Sequence, residues 1–191
     1  MPDADRPGLR RRLRSARRAV APTERPAAAA AVDAALARLG LPRARTRIAA
    51  YRATDGEIDP LILLRRARAL GCEIYFPVIT SLRGRRMRFV DSEARNIGPR
   101  WLDLVLVPLV GFDDRGNRLG MGAGFYDRHF AFLRHRHAWH RPLLIGLAFE
   151  VQRVERLVAN THDVPLWGVV TERGIYGPAA VHARGASGGR G

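Results

Sequence analysis

The sequence Arg118-Leu119-Gly120-Met121-Gly122-Ala123-Gly124-Phe125-Tyr126-Asp127-Arg128 is the most informative stretch of this chain. A strongly apolar run, 102–110, precedes it, and a helix-like stretch, 126–136, follows it. Glycines allow backbone N–H groups to approach an anion closely, and the start of a helix adds partial positive charge. The order of strand, glycine-rich loop and helix therefore predicts a phosphate-binding site.

Two charged side chains in this stretch suit that chemistry. Arg118 offers a fork of N–H donors that matches phosphate oxygens, and Asp127 offers a hard carboxylate oxygen for a divalent cation. The singly alternating glycines are neither the dinucleotide-binding fingerprint nor a P-loop. The loop alone is therefore equally compatible with an ordinary tight connection, in which Tyr126 is a packed aromatic residue and Asp127 caps a helix.

Short apolar runs alternate with helical patterns along the chain. Helical spacing of apolar residues predicts helices over 9–20, around 32–39 and around 63–70, and strands are predicted at 48–51, 74–79, 87–90, 102–110, 143–149 and 168–171. This alternation indicates a single-domain α/β fold, a three-layer α/β/α sandwich with a mostly parallel, Rossmann-like sheet. We expect the domain to span 8–177, with flexible termini at 1–7 and 178–191. Ligands bind beyond the carboxyl ends of such strands, where the loop after residue 110 lies.

Composition and charge limit the possible classes of protein. The 191 residues carry a net charge of +15, and all 33 basic residues are arginine. Such a charge gives some affinity for polyanions, but the densest basic run, 9–18, has no aromatic residues, so nucleic-acid binding ranks second. The apolar runs are too short to span a membrane, and the single cysteine, Cys72, cannot form an internal disulfide. We therefore expect a cytoplasmic, monomeric protein without a membrane partner.

Further motifs accompany the glycine-rich loop along the chain. They are a basic element at 10–14, Tyr51 followed by Glu57-Ile58-Asp59, the run Asp103 to Pro108 leading to Phe112-Asp113, Gln152, His162-Asp163-Val164-Pro165, and Thr171-Glu172. In this order, from about residue 9 to 172, the chain resembles the 5-formyltetrahydrofolate cyclo-ligase family, also called methenyltetrahydrofolate synthetases. The glycine-rich core ending in Tyr-Asp-Arg is the most specific part of the resemblance.

The resemblance implies a reaction. ATP and Mg²⁺ would convert 5-formyltetrahydrofolate to 5,10-methenyltetrahydrofolate, ADP and phosphate. The formyl oxygen would attack the γ-phosphate to give an iminophosphate, N10 would then attack the activated carbon, and phosphate would leave. Phosphorylation supplies a leaving group that a formamide oxygen lacks, and the transfer chiefly requires positioning and charge neutralisation.

The resemblance also implies roles for individual residues. Arg118, Tyr126 and Asp127 would be catalytic, Asp127 and Asp163 would hold Mg²⁺, and Arg52, Glu57 and Tyr126 would bind the folate. The residues implied for ATP are Arg10, Arg11, Arg12, Leu13, Arg14, Arg118, Leu119, Gly120, Met121, Gly122, Ala123, Gly124, Phe125 and Tyr126. Read alone, the arginines of 10–14 are a solvated helix face, Glu57 is a loop residue, and Asp163 is a turn former. His135, His137 and His140 resemble a metal cluster, but at helical spacing they do not share one face, and we expect them at the surface.

The chain departs from the family pattern at two places. The family usually has lysine at the position of Arg10, and arginine keeps the charge but changes the donor geometry. The family also has a longer connection between the positions of Phe89 and Leu102, and here it is short, with Asn96-Ile97-Gly98-Pro99 as a remnant. Three functions stay open: an active cyclo-ligase, a nucleotide-binding member with lost or altered folate activity, and an arginine-rich nucleic-acid-binding protein.

Overall fold

The computed structural model describes residues 5–135 and 141–187. Its α-helices are α1 (Arg6–Ala19), α2 (Arg25–Arg38), α3 (Leu61–Ala69), α4 (Phe125–His129) and α5 (Pro178–Ser187). Its strands are β1 (Arg47–Ala49), β2 (Glu73–Ser81), β3 (Arg86–Val90), β4 (Asn96–Ile97), β5 (Leu104–Pro108), β6 (Gly111–Phe112), β7 (Arg118–Leu119), β8 (Leu143–Leu147), β9 (Gly168–Val170) and β10 (Ile175–Tyr176). Short 3-10 helices cover Pro99–Trp101, Ala131–His135 and Glu150–Gln152.

Eight strands of the described chain form one sheet in the order β10-β9-β8-β5-β1-β2-β3-β4. The central pairs β9-β8, β8-β5, β5-β1 and β1-β2 are parallel, and the outer pairs are antiparallel. The strand order reverses between β1 and β5, because β1 is followed by β2 on one side and by β5 on the other. Such a reversal opens a crevice beyond the carboxyl ends of the strands, where ligands bind in folds of this class.

Helices cover both faces of the sheet. Alternate residues of β5 point to opposite faces, so Leu104 and Leu106 pack with α2 and α3, whereas Val105 and Val107 pack with Phe130 and the region after α4. The near-continuous apolar run of β5 follows from this two-sided burial. The three-layer, mostly parallel α/β fold predicted from the sequence is confirmed.

A third apolar cluster fixes α1 beside the carboxyl end of β5. Leu13 of α1 packs with Val110, Leu119 and Leu157. A Cβ atom at Gly111 would lie 2.4 Å from the Leu13 side chain, so α1 approaches the β6 backbone as closely as a glycine allows. The amino-terminal helix is therefore held at the same edge of the sheet as the glycine-rich loop.

The structure corrects four local predictions. Of the terminus predicted to be flexible over 1–7, Arg6 and Pro7 belong to helix α1. Residues 178–187, predicted to be flexible, include the helix α5, and its Ala179 is fully buried against β9. The helix predicted over 126–136 is shorter, because α4 ends at His129 and a 3-10 helix follows. The strand predicted over 102–110 is β5, and the short hairpin of β6 and β7 separates it from the glycine-rich loop. Arg118 therefore belongs to a strand.

Within 5–135 and 141–187, no helix is long and apolar enough to cross a membrane.

The packing of α5 gives a prediction about stability. In Gly168→Ala the added Cβ would lie 2.4 Å from the Ala179 Cβ atom and 2.9 Å from the Tyr176 carbonyl oxygen, so α5 must shift. We expect the free energy of unfolding in urea to fall by about 1–3 kcal/mol, the usual cost of overpacking. Gly174→Ala is the control, because its Cβ would make only ordinary contacts from 3.4 Å outward. Equal stability of the two variants would contradict a docked α5.

Candidate active site at the glycine-rich cleft

The loops that follow β1 and β5 meet at the point where the strand order reverses. The loop after β1 contains Asp55 and Glu57, and the chain after β5 runs through the β6-β7 hairpin into the glycine-rich loop. The loop returns into α4 through Gly122 and Gly124, whose φ angles of 102° and 66° lie in the region that only glycine adopts freely. The predicted position of the loop, beyond a buried parallel strand, is therefore the observed one.

The glycine-rich loop lines an open cleft of about 930 Å³. Residues 159–163 form another wall, and α1 reaches the cleft through Arg6 and Arg10. The Arg10 Nε atom donates to the Gly120 carbonyl oxygen at 2.9 Å, so the first turns of α1 and the loop are directly linked. The carboxylates that line the cleft are Asp127 and Asp163, and the arginines outnumber them. The lining arginines are Arg6, Arg10, Arg85, Arg118, Arg128 and Arg134. This excess of positive charge favours a polyanionic ligand.

Arg118 and Asp127 form an ion pair at the base of the cleft. The two Nη atoms of Arg118 donate to the Asp127 carboxylate and to the Val164 carbonyl oxygen. The Asp127 Oδ1 atom also accepts the Val164 backbone N–H at 3.1 Å. The arginine side chain is almost fully buried, and the carboxylate keeps about a quarter of its surface exposed. The pair therefore joins β7 and α4 to Val164, which directly follows the 159–163 wall, and it leaves part of Asp127 accessible.

A second group of polar side chains surrounds Glu57. The Glu57 carboxylate is 6% exposed; its Oε2 atom accepts the Thr54 backbone N–H at 3.1 Å, and its Oε1 atom lies 3.4 Å from Arg17 Nη1. Burial raises the pKa of Glu57, while Thr54 and Arg17 oppose the rise. The pKa of Tyr126 is raised by burial and then by the negative charge of Glu57. Tyr126 also lines the cleft, so the charge of Glu57 acts on a side chain of the cleft wall.

Arg17, which the sequence patterns did not single out, joins α1 to this group. Its side chain is 1% exposed, and it donates to Asp55 Oδ2 at 2.7 Å, to the Asp55 carbonyl oxygen at 3.1 Å and to the Leu109 carbonyl oxygen at 3.2 Å. Arg14 and Arg18 also donate to the Asp55 carboxylate. A buried guanidinium requires such partners, because an unpaired charge away from water is costly.

The structure brings only some of the predicted site residues to the cleft wall. Arg10, Arg118, Tyr126, Asp127, Asp163 and the loop from Gly120 to Phe125 line it. The remaining predicted residues lie elsewhere: Arg11 and Arg12 are exposed, Leu13 and Leu119 are buried in the third apolar cluster, Arg14 pairs with Asp55, and Arg52 lies over the Phe76 ring at 4.7 Å. The side chains of His135, His137 and His140 lie outside those that the structure describes, so their expected surface position stays a prediction.

Several cleft residues were missed by sequence reasoning. Arg6 lies one turn before Arg10, so the helical period places it on the same side of α1, and this signal was available. Arg85 comes from the turn between β2 and β3, and Arg128 and Arg134 follow the loop. Arg17 also had a signal, because it lies four residues after Leu13 on the buried stripe of α1, where a charged residue needs a reason.

Comparison with known proteins identifies the family. The family model described as the 5-formyltetrahydrofolate cyclo-ligase family matches residues 2–99 and 92–172. The chain belongs to this family. The two matched segments overlap at 92–99, inside the connection that is short here.

Individual relatives agree with this assignment. The 5-formyltetrahydrofolate cyclo-ligase of Escherichia coli strain K12 is 30% identical over 148 residues, which cover 68% of this chain and 79% of that protein. The corresponding Haemophilus influenzae protein is 31% identical over 147 residues, 67% of this chain and 76% of that protein. The solved 5,10-methenyltetrahydrofolate synthetase from Mycoplasma pneumoniae superposes with a TM-score of 0.76 at 24% identity, covering 88% of this chain and 99% of that one, and so shares the cyclo-ligase fold.

The arginines around Asp55 predict a pH dependence of stability. They lower the pKa of Asp55 from 3.8 to about 2 against the effect of burial, so the carboxylate stabilises the fold above pH 4, and this contribution is lost as the pH falls towards 2. Asp55→Asn should lower the free energy of unfolding at pH 7 by roughly 1–2 kcal/mol, as expected for hydrogen bonds to a charged group. Asparagine tolerates the positive φ of 52° at this position, so backbone strain does not confuse the comparison.

Urea unfolding of both proteins between pH 7 and pH 2 tests this prediction. The difference in unfolding free energy between the parent and Asp55→Asn should shrink between pH 4 and pH 2. Glu155→Gln, which alters an exposed carboxylate, is the control and should track the parent throughout. A difference that stays constant over this pH range would show that Asp55 does not contribute through its charge.

Proposed function

We propose that this chain catalyses the ATP- and Mg²⁺-dependent cyclisation of 5-formyltetrahydrofolate to 5,10-methenyltetrahydrofolate, with release of ADP and phosphate. The observation that carries the proposal is that helix α1 contacts both the glycine-rich loop and the buried Glu57, at one edge of the sheet. The glycine-rich, arginine-lined cleft suits a triphosphate, and the charge of Glu57 acts on Tyr126 in the cleft wall. Membership of the cyclo-ligase family supports the same reaction.

The triphosphate would lie along the glycine-rich loop. Backbone N–H groups of Gly120 to Gly124 can approach phosphate oxygens because three of these positions lack a Cβ atom. Arg10 already contacts the loop backbone, and Arg85 and Arg128 have no side-chain partner among the described residues, so both have donors for a ligand. Arg118 acts mainly as a support, since both Nη atoms are engaged with Asp127 and Val164.

The donor set suits Mg²⁺ bound chiefly through a nucleotide. No group of three or more metal-ligating side chains occurs in the described part of the chain. Mg²⁺ typically uses one or two protein carboxylates, together with phosphate oxygens and water. Asp127, whose Oδ2 atom makes no hydrogen bond to the described residues, and Asp163, which is about a quarter exposed, would supply these carboxylates. The ion would neutralise the charge that develops on the phosphates.

Phosphoryl transfer activates the formyl group. The formyl oxygen forms a bond to the γ-phosphorus, and the bond from that phosphorus to the ADP oxygen breaks, which gives the iminophosphate. N10 then bonds to the formyl carbon and loses its proton, and cleavage of the carbon–oxygen bond releases phosphate and leaves the methenyl bridge. Tyr126, at the junction of the two sites, would contact the formyl group, and Glu57 would orient the reacting nitrogens. Arg52, next to this loop, would contact the outer part of the folate.

One observation favours a second candidate, a nucleotide-binding member with lost or altered folate activity. The short connection folds as β4 and a 3-10 helix at the edge of the sheet, and no described residue of 90–103 lines the cleft. Trp101 in this connection is 66% exposed. A folate pocket here would have to be completed without the segment that the resemblance implies.

Turnover of 5-formyltetrahydrofolate tests the proposal. The purified protein with Mg²⁺ and ATP should produce the absorbance of methenyltetrahydrofolate in acidified buffer, and omission of ATP should abolish the signal. Thermal stabilisation by ATP without any product would favour the second candidate. Binding of RNA or DNA with a steep salt dependence, and no effect of ATP, would instead support the nucleic-acid hypothesis.

The metal role of Asp127 gives a specific prediction. Asp127→Asn keeps an oxygen that can accept from Arg118 and the Val164 N–H, so the fold should persist, but it removes the charge that attracts Mg²⁺. We expect kcat to fall by about 100-fold or more, as when a key electrostatic contact to a transition state is removed, and half-saturation by Mg²⁺ to require a higher concentration. Asp114→Asn, at an exposed pair with Arg153, is the charge-matched control. Parent-like Mg²⁺ dependence in Asp127→Asn would refute the metal role.

A further inference from the structure

The buried guanidinium of Arg17 is the only described cation in contact with Glu57. Helix α1 therefore reaches both parts of the site, because Arg10 contacts the glycine-rich loop and Arg17, about two turns later, contacts the carboxylate proposed to face the folate. The Arg17 Nη1 atom also donates to the Leu109 carbonyl oxygen at the end of β5. Contacts with Asp55, Glu57 and Leu109 therefore hold the guanidinium in place, and it can support the Glu57 carboxylate in a fixed position.

Positively charged, negatively charged and neutral groups surround the Glu57 carboxylate. On its own loop, Thr54 donates to Oε2 through its backbone N–H and, at 3.4 Å, its hydroxyl, while the Asp55 carboxylate repels it. Burial, and then the negative charge of Glu57, raises the pKa of Tyr51, which lies two residues after β1, and of Tyr126 in α4. Arg17 is the cation that opposes the effect of burial on the ionised form. Without Arg17, Glu57 would keep only the Thr54 hydrogen bonds against desolvation and the negative charge of Asp55.

We propose that Arg17 is a positioning residue that keeps Glu57 ionised and directed towards the folate side of the site. This inference rests on the proposed role of Glu57 in the cyclo-ligase reaction. It does not require Arg17 to touch either substrate, and its burial at 1% exposure excludes such contact in this conformation. The side chain acts through the carboxylate, so its loss should alter folate use more than nucleotide use.

The test compares Arg17→Gln with Arg18→Gln. Both variants remove one positive charge from the group around Asp55, but Arg18 is largely exposed and contacts Asp55 without contacting Glu57. For Arg17→Gln we expect kcat/KM for 5-formyltetrahydrofolate to fall by about 10- to 100-fold, the usual effect of losing the alignment of a reacting group. The KM for ATP should change by less than about twofold, because uniform binding of the nucleotide is untouched.

The pH profile separates positioning from a merely structural role. Arg17 favours the charged form of Glu57, so its removal raises the pKa of this carboxyl further, and the acidic limb of kcat/KM for the folate should move to higher pH. Arg18→Gln should keep the parent profile. A parent-like kcat/KM and profile in Arg17→Gln would overturn the inference. A lower yield of folded protein, whose remaining activity shows the parent's acidic limb, would also overturn the inference, because Arg17 would then serve only the fold.

Arg17→Lys keeps the test usable if the glutamine variant does not fold. Lysine retains the charge but loses the fork that spans Asp55, Glu57 and Leu109. We expect an acidic limb close to that of the parent, with kcat/KM for the folate lowered and the KM for ATP unchanged. Equal losses for both substrates would contradict positioning.

Glu57→Gln distinguishes failure of this inference from failure of the proposed function. Absence of turnover in the parent protein would contradict the proposed cyclo-ligase reaction itself. Full turnover in Glu57→Gln would remove the role of Glu57, and with it the inference. Inactive Glu57→Gln together with a parent-like Arg17→Gln would leave the function standing and reject only the positioning role.

Discussion

Burial of a guanidinium at the reversal of strand order is the constraint on which the rest of the site depends. Arg17 can lie there only because its N–H groups find the Asp55 carboxylate and carbonyl, the Glu57 carboxylate and the Leu109 carbonyl. These acceptors belong to the loop after β1 and to the end of β5. Desolvating a charge without them would cost several kcal/mol. The arginine therefore holds α1 against the loop after β1 and against the end of β5.

A second ion pair does the same for the cleft. Arg118 and Asp127 link β7 to α4, and both bind the backbone of Val164, so the glycine-rich loop is held at each end while its middle is open. The positive φ angles of Gly122 and Gly124 give the loop its curvature. A loop fixed at both ends and free of Cβ atoms is preorganised for an anion, because little conformational entropy remains to be lost on binding.

The fold was largely predictable because it follows from hydrophobic patterning. The continuous apolar residues of β5 and β8 indicated strands covered on both sides, and the position of the glycine-rich loop followed from parallel strand order. The α5 helix was missed because it runs into the glycine-rich stretch 183–191, whereas the structure buries its Ala179 fully against β9. The β6-β7 hairpin was missed because two-residue strands are too short to show a period.

The site was predictable by residue type more than by contact. The loop from Gly120 to Phe125 lines one cleft together with Arg10 and Asp163. The sequence does not show, however, that both Nη atoms of Arg118 donate to protein acceptors, or that Arg14 pairs with Asp55. Partner choice among 33 arginines depends on tertiary distances. The supporting role of Arg17 could be inferred only once its burial and its contact with Glu57 were visible.

The fate of the formyl oxygen reports whether one site transfers a phosphoryl group from ATP to the folate. 5-Formyltetrahydrofolate labelled with ¹⁸O in the formyl group would be turned over with Mg²⁺ and unlabelled ATP, and the released phosphate analysed by mass spectrometry. A cyclo-ligase that works through the iminophosphate places one ¹⁸O atom in each phosphate formed. Unlabelled phosphate, with the label released to water, would contradict phosphoryl transfer to the formyl oxygen.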